Sequence, residues 1–126
     1  MPDAELQVDQ TLTDTGRITL SPIAAVIHVQ CGGDAIARSE HALELRETGY
    51  PPVIYVPIAD VRPGVLGDNP ATSHCPFKGD ARYYDVTVGD QALPNAAWHY
   101  PDPRPELAAI ADCVAFYPDP IVIWRE

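Results

Sequence analysis

Cysteine is scarce in this chain, and its spacing argues against two common scaffolds of small domains. The 126 residues hold three cysteines, Cys31, Cys75 and Cys113, with no Cys-x-x-Cys pair. An odd count without paired spacing disfavours a disulfide framework and a zinc ribbon. We therefore expect free thiols in a reducing cytoplasm.

Positive charge and long apolar runs are also lacking. Eight Lys and Arg residues stand against 18 Asp and Glu, which gives a net charge of −10. Because a nucleic-acid surface needs clustered basic residues, we expect no nucleic-acid partner. The sequence has no run of about 18 apolar residues, and its acidic start lacks the pattern of a signal peptide. We expect no membrane partner and no export by that route.

Length and turn spacing predict the fold. The chain has the size of one domain, which we place at residues 17–126 after a loose polar arm at residues 1–16. Turn-forming residues interrupt short apolar runs about every 8 to 12 residues, and the 14 prolines oppose long helices. This predicts a mainly β domain, either a single small sandwich or a partly closed barrel, with one short helix at residues 106–111 near the C-terminus.

Two connections between the candidate strands carry specific expectations. Residues 57–76 hold four prolines and are expected to cross the domain irregularly. Pro118-Asp119-Pro120 is expected to join the last two strands as a closing hairpin. The candidate strands are residues 18–20, 24–30, 35–38, 41–47, 53–56, 80–88, 96–100, 114–117 and 121–124.

Residues 72–84 concentrate the reactive side chains, and we interpret them as a loop that feeds a strand. Cys75 is held extended by the proline after it, and Gly79 permits a sharp turn that would bring Lys78 toward the sulfur. The ammonium, or His74, would stabilise the thiolate, which is the nucleophilic form of cysteine. The alternative is a half-buried cysteine that packs as a small hydrophobic residue.

Charged residues near this segment have candidate roles of their own. Lys78 suits a carboxylate or phosphate as an anion holder, although an isolated lysine is more often a solvated charge. Asp60 follows a buried strand and is a candidate orienting acid for His74 or Lys78; the alternative is a carboxylate that bonds backbone N–H groups. Glu47, at the end of a strand, is interpreted as exposed.

Aromatic residues supply candidate pocket walls. Tyr83 and Tyr84 point to opposite faces of their strand, so that one of them can line a pocket beside Trp98. Core packing is the alternative for each of these rings. Zinc at His74 and Cys75 is disfavoured because adjacent residues suit one tetrahedral centre poorly, and no metal is expected. The candidate ligand-binding residues are Tyr55, Thr72, His74, Gly79, Tyr83 and Trp98.

Three groups of residues resemble family 427 of the domains of unknown function, and the resemblance runs from about residue 18 to residue 124. They are Glu47…Pro51-Pro52-x-x-Tyr55-x-Pro57-x-x-Asp60-Val61, then Thr72-x-x-Cys75-Pro76-x-Lys78-Gly79-x-Ala81-x-Tyr83, and then Trp98-x-Tyr100-Pro101-x-Pro103. The resemblance implies a small, mainly β domain of the β-tent type, which is shared with methionine sulfoxide reductase-like folds. Relatives of that type often hold zinc through paired Cys-x-x-Cys motifs, which this chain lacks. Some family members carry a nucleotidyltransferase-like label. The chain has neither a glycine-rich phosphate loop nor paired aspartates for magnesium, so its residues do not support that label.

The sequence favours a protein that binds or acts on a small molecule, with anionic molecules among the candidates. The pocket is expected beside residues 72–84, with Cys75 as nucleophile or polar anchor. A non-catalytic accessory or interaction domain and a thiol-based redox sensor are the alternatives. Whether the chain is an enzyme stays open, no cofactor is identified, and a homodimer is among the possible assemblies.

Overall fold

The computed structural model describes residues 12–126, which form eleven strands. Two short 3-10 helices, at Ile58–Asp60 and Pro105–Ile110, interrupt them. The strands are β1 (Thr13–Asp14), β2 (Ile18–Pro22), β3 (Ile27–Cys31), β4 (Asp34–Ser39), β5 (Leu43–Glu47), β6 (Val53–Pro57), β7 (Leu66–Cys75), β8 (Gly79–Val88), β9 (Gln91–His99), β10 (Cys113–Phe116) and β11 (Ile121–Arg125).

The strands form two antiparallel sheets, which confirms the predicted mainly β class. The large sheet has the order β1-β2-β5-β6-β10-β9-β8-β7, and the small one has the order β11-β3-β4. Among residues 12–126, β1 and β7 are the outer strands of the large sheet, so these residues form no closed barrel.

The short helix predicted near the C-terminus is not confirmed. The segment Pro105–Ile110 is a 3-10 turn, with Leu107 outside helical geometry at φ −110° and ψ 22°. Leu107 and Ile110 are both buried. The non-helical backbone at Leu107 interrupts the regular repeat that the predicted helix requires.

Two connections also differ from the predictions. Half of the expected irregular crossing is the ten-residue strand β7, whose pairing with β8 breaks only between Asn69 and Thr72. Pro70 lies in that break, where a missing N–H costs no ladder bond. The prediction of a closing hairpin is wrong, because β10 pairs with β6 and β9 in the large sheet while β11 pairs with β3 in the small one. Pro118 and Pro120 lack the N–H groups that a hairpin ladder would use.

Strand β10 holds the two halves of the large sheet together by changing partner along its length. Val114 pairs with Val56 of β6, whereas the next residue, Ala115, pairs with Trp98 of β9. From Ala115 onward, β10 pairs with β9 and no longer with β6. The strands β6 and β9 therefore separate on the side of β6 that holds Tyr55. A cleft can open at this point without breaking either half.

Two apolar clusters flank this divide. One contains Val29, Ile36 and Val114 and fills the space between the two sheets. The other contains Leu45, Tyr55 and Leu107, and Cys75 and Trp98 pack against its margin. Alternation along β5 and β6 builds these clusters, because every second side chain of a strand points to the same face.

Two further predictions concern the ends of the chain and its environment. Residues 1–11 of the predicted arm lie outside the described residues, and Thr13–Asp14 from its last part form β1. In the stretch that the structure describes, no helix has the length and apolar character to span a membrane.

Candidate functional site

A cavity of about 700 Å³ lies where β6 and β9 separate. Its walls come from β5, β6, β8, β9 and β10 and from the turn that joins β7 to β8. Eight of the ten aromatic side chains of the chain line it. They are Tyr50, Tyr55, Phe77, Tyr83, Trp98, Tyr100, Phe116 and Tyr117.

The strand register explains why these rings meet. Tyr83 of β8 lies opposite Trp98 of β9, so the two side chains share one face of the sheet. Tyr100 follows two residues after Trp98 on that face. Tyr84 points the other way and stacks on His99, with the ring centres 4.7 Å apart. One face of this half of the sheet therefore carries the cavity rings.

Tyr55 and Trp98 connect the two halves at the cavity wall. The Trp98 indole N–H donates to the Tyr55 hydroxyl across 3.3 Å, between residues 43 positions apart. Burial raises the pKa of Tyr55 above its usual value, and burial also raises the pKa of Tyr100. Both phenols are therefore neutral hydrogen-bonding groups at neutral pH. Tyr117 tilts against Trp98 at 4.4 Å between ring centres and 45° between planes.

A group of three charged residues forms one end of the cavity. The Lys78 ammonium donates to Glu47 Oε1 across 2.7 Å, and the Arg17 guanidinium lies 3.3 Å from Glu47 Oε2. The Glu47 side chain is only 8% exposed. The guanidinium also lies over the ring of Phe77, 4.0 Å from its centre, in a cation–π arrangement.

Sequence reasoning missed Arg17 and the inward position of Glu47, and it did not name Tyr50, Phe77, Phe116 or Tyr117 as cavity residues. Glu47 was expected to be exposed, but it follows Leu43 and Leu45 at a spacing of two and so points to the same inward face of β5. That alternation was the available signal, because an inward carboxylate requires a cationic partner. Arg17 gave no comparable signal, since the separation of Arg17 and Glu47 along the chain hides their contact.

The segment predicted as a loop is a β-hairpin. The chain turns between β7 and β8 at Pro76, Phe77 and Lys78, and the Lys78 N–H donates to the Cys75 carbonyl across 3.2 Å. Gly79 ends the turn at φ +124°, and a Cβ there would lie 3.2 Å from the Asp102 carbonyl oxygen. This close approach fixes the direction in which the turn enters the cavity wall.

Cys75 and Lys78 both line the cavity, as the sequence suggested, but their partners differ from the expected ones. The Lys78 ammonium pairs with the Glu47 carboxylate, so it is not held by the thiol. Cys75 is half-buried, whereas Cys31 and Cys113 are buried. Burial raises the pKa of the Cys113 thiol to about 11. Cys75 is therefore the cysteine that a molecule in the cavity can reach.

The remaining candidate residues lie at the rim or elsewhere. His74 reaches the rim, but its Nδ1 lies 2.7 Å from Asp80 Oδ1 and its side chain is 70% exposed. Thr72 lines a separate pocket, together with Asp80 and Asp102. Gly79 supports the turn without lining the cavity.

Asp60 lies outside the cavity and serves a neighbouring connection. Its Oδ2 accepts a hydrogen bond from Ser39 Oγ across 2.6 Å. The same Ser39 oxygen accepts from the His41 N–H across 3.0 Å. Asp60 thus holds the chain between β4 and β5 against the 3-10 helix at Ile58–Asp60, and it orients neither His74 nor Lys78.

Metal ligands are not grouped at the site. Within residues 12–126, no three His, Cys, Asp or Glu side chains come together in an arrangement that could hold a metal ion. The chemistry that the cavity offers is aromatic contact, one thiol and one cluster of two cations and a carboxylate.

Fold and site together define a mainly β protein of two antiparallel sheets with one aromatic-lined cavity. The chain matches the family described as "Domain of unknown function (DUF427)" over residues 19–126. Since this match covers most of the chain, the protein belongs to that family, and the resemblance seen in the sequence is confirmed. No curated protein matches the chain.

Proposed function

We propose that this protein binds a small molecule in the aromatic cavity. The observation that carries the proposal is the convergence of eight of the ten aromatic side chains on one open space. Rings that served only the core would be buried, yet Tyr50, Phe77 and Tyr117 are 64%, 45% and 45% exposed. A ligand would cover this apolar surface and remove it from water, which favours binding.

The dimensions and composition of the cavity support this proposal. Its volume of about 700 Å³ falls within the range of small-molecule sites, about 300 to 1,000 Å³. Such sites combine apolar walls with few polar groups that set orientation. Here the aromatic rings would contact the body of the ligand, and Cys75 would be a polar contact in the wall.

A metabolite screen by thermal unfolding tests the proposal, because a ligand that binds the folded state raises the melting temperature. Compounds that stabilise the wild type are expected to lose their effect with Tyr117→Ala, which removes a cavity wall. The matched control is Tyr84→Ala, since Tyr84 stacks on His99 outside this cavity. Stabilisation that survives Tyr117→Ala unchanged would contradict binding at this place.

Nuclear magnetic resonance gives an independent readout of occupancy. The chain has two tryptophans, and Trp124 stacks on His28 away from the cavity. Trp124→Phe therefore assigns the remaining indole N–H signal to Trp98. A ligand in the cavity is expected to shift the Trp98 signal in the wild type and to leave the Trp124 signal in place.

A thiol-based redox sensor is the second candidate, and the accessibility of Cys75 favours it. Hydrogen peroxide would oxidise the Cys75 thiolate to sulfenic acid, transferring one oxygen to sulfur while the rest of the peroxide leaves as hydroxide. Mass spectrometry under limiting peroxide is expected to place the added oxygen on Cys75. Equal oxidation of Cys31 would contradict a sensing role. A non-catalytic accessory domain predicts no ligand in the screen and no selective oxidation.

Two further properties, the fold type and the cellular location, are part of the proposal. We propose that the arrangement is of the β-tent type implied by the family resemblance, and the two halves joined at β10 support it. A cytoplasmic location is proposed as well, with support from the free state of Cys31, Cys75 and Cys113.

A further inference from the structure

The charges that line the aromatic cavity do not cancel. Arg17 and Lys78 are cationic, and Glu47 is the only carboxylate residue among the lining residues. Two positive charges and one negative charge leave a surplus of one positive charge at this end of the cavity. The whole chain carries −10, so the surplus is a local arrangement of opposite sign to the overall charge.

Arg17 is the cation that remains available to a ligand. Lys78 is 15% exposed, and its contact with Glu47 is the shorter of the two, 2.7 Å against 3.3 Å. The Arg17 side chain is 39% exposed. Its Nε is buried and has no hydrogen-bond partner among residues 12–126, so the protein contacts described there do not use all five guanidinium donors.

The aromatic walls restrict where an acidic group can lie. The face of an aromatic ring carries partial negative charge and repels an anion, while it stacks well on another planar ring. An acidic ligand would therefore place its ring among Trp98, Tyr117 and Tyr83 and its charged group at the Arg17 end. A cationic ligand would suit the rings, but both oxygens of Glu47 already face cations.

We infer that the ligand is a planar aromatic molecule with one acidic group, and that Arg17, rather than Lys78, binds this group. The inference rests on the proposed function, because it names the class of molecule for the same cavity. Guanidinium and carboxylate form a charge-assisted, bidentate pair that neutral analogues cannot form. Selectivity for the acid over its amide is the direct consequence.

Three probes of equal shape test the inference: 2-naphthoate, 2-naphthamide and 2-naphthylmethylammonium. Each is titrated into the full chain while the Trp98 and Trp124 indole N–H signals are followed. The naphthoate is expected to shift Trp98 with an affinity about tenfold above that of the amide. Arg17→Gln is expected to remove this preference, so that the naphthoate and the amide bind with similar affinities. The control Arg38→Gln is expected to keep it, because Arg38 pairs with Glu40 away from the cavity.

The outcomes separate this inference from the proposed function. If the amide or the ammonium binds as well as the acid, or if Arg17→Gln keeps the preference, the acidic class is wrong and small-molecule binding stands. If none of the three probes shifts the Trp98 signal in the folded wild type, the inference and the proposed function are both wrong for planar aromatic molecules. The wild-type comparison needs no variant, so a folding defect in Arg17→Gln does not remove the test.

Discussion

Lys78 and Glu47 lie 31 positions apart in the chain and meet across 2.7 Å at the wall of the aromatic cavity. Their side chains are only 15% and 8% exposed. The contact joins the β7–β8 turn to the end of β5, and Arg17 shares the same carboxylate. One buried acid therefore pairs with two cations from separate parts of the fold.

Because the Glu47 carboxylate pairs with two cations, removing its charge is expected to lower the stability more than removing the Lys78 charge. Glu47→Gln leaves two cations facing each other and is expected to lower the free energy of unfolding by about 3 kcal/mol. Lys78→Met leaves Glu47 paired with Arg17 and is expected to cost about 1 to 2 kcal/mol. Urea unfolding of both variants and of the double variant measures the coupling. Equal costs that add in the double variant would show that Glu47 and Lys78 do not interact.

The difference in stability between the wild type and Tyr55→Phe is expected to depend on pH. Tyr55→Phe loses the bond from Trp98 and is expected to cost about 1 kcal/mol at neutral pH. Because burial raises the pKa of Tyr55 above 10.0, the unfolded chain loses this proton first as the pH rises. The wild type therefore loses this part of its stability above about pH 10, and the variant does not. Urea unfolding between about pH 7 and about pH 11 is expected to show the gap closing.

The control for this pH series is Tyr50→Phe, since Tyr50 is 64% exposed. Cys113, whose pKa burial raises to about 11, contributes the same alkaline loss to the wild type and to both variants. The difference in the free energy of unfolding between Tyr55→Phe and Tyr50→Phe therefore reports the contribution of the Tyr55 hydroxyl. A constant gap over the whole pH range would contradict the buried phenol.

The three thiols are expected to differ in reactivity with iodoacetamide. Cys75 is half-buried in the cavity wall, while Cys31 and Cys113 are buried. Alkylation at about pH 8 should label Cys75 at least about tenfold faster, since access limits the other two. Peptide mass spectrometry over time measures the rates. Cys75→Ala should abolish the fast labelling and Cys31→Ala should preserve it, whereas equal rates at all three sites would contradict the structure.

Saturating 2-naphthoate adds a second reading to that experiment. A ligand in the cavity is expected to slow the alkylation of Cys75, because Cys75 lies in the cavity wall. Unchanged labelling at saturation would place the probe elsewhere.

Asp60 is expected to affect stability and not binding. Asp60→Ala leaves the Ser39 hydroxyl without its acceptor at 2.6 Å and should cost about 1 to 3 kcal/mol. Ser39→Ala also removes the acceptor of the His41 N–H and should cost at least as much. The double variant should cost less than the sum, because both changes remove the same bond between Ser39 and Asp60. The affinity for 2-naphthoate should stay at the wild-type value. A loss of affinity in folded Asp60→Ala would restore a role for this acid at the site.

Gly79 and Gly64 provide a matched pair for the turn that carries Lys78. Both have positive φ, +124° and +85°, but only Gly79 has a neighbour where a Cβ would lie, the Asp102 carbonyl oxygen at 3.2 Å. Gly64→Ala is expected to cost about 1 kcal/mol from backbone strain alone. Gly79→Ala adds a steric contact and is expected to cost about 2 kcal/mol or more. Equal melting temperatures for the two variants would contradict the close approach.

Local patterns predicted most of the strands, and non-local contacts decided the rest. Apolar alternation placed β5, β6 and β8, and the Gly-Gly turn placed the β3–β4 hairpin. Strand β7 was missed because Pro70, Gly67 and the prolines on either side of the strand suggested an irregular loop, while its partner β8 supplies the ladder that holds it extended. The last two strands were predicted but joined wrongly, since pairing depends on which edges are free in the assembled sheets.

Some residues of the candidate site could likewise be predicted from local sequence, whereas others depended on contacts between distant parts of the chain. Tyr55, Cys75, Lys78, Tyr83 and Trp98 were identified by residue type and clustering, and all of them line the cavity. The pairing of Lys78 with Glu47 and the place of Arg17 were not predictable from spacing, because their partners are distant in the chain. Asp60 looked like a site residue because it shares a sequence motif with Tyr55, although its side chain turns toward Ser39.

Composition and short-range periodicity by themselves determined that this chain is mainly β, and residue types marked its reactive segment, while the three motif groups carried the resemblance to the DUF427 family. Only the tertiary structure decided that eight rings enclose one space and that a buried carboxylate joins Arg17 to Lys78. The physical reason is that side-chain alternation is a local property of a strand, whereas a cavity and its charge balance arise from the register between strands that the sequence separates.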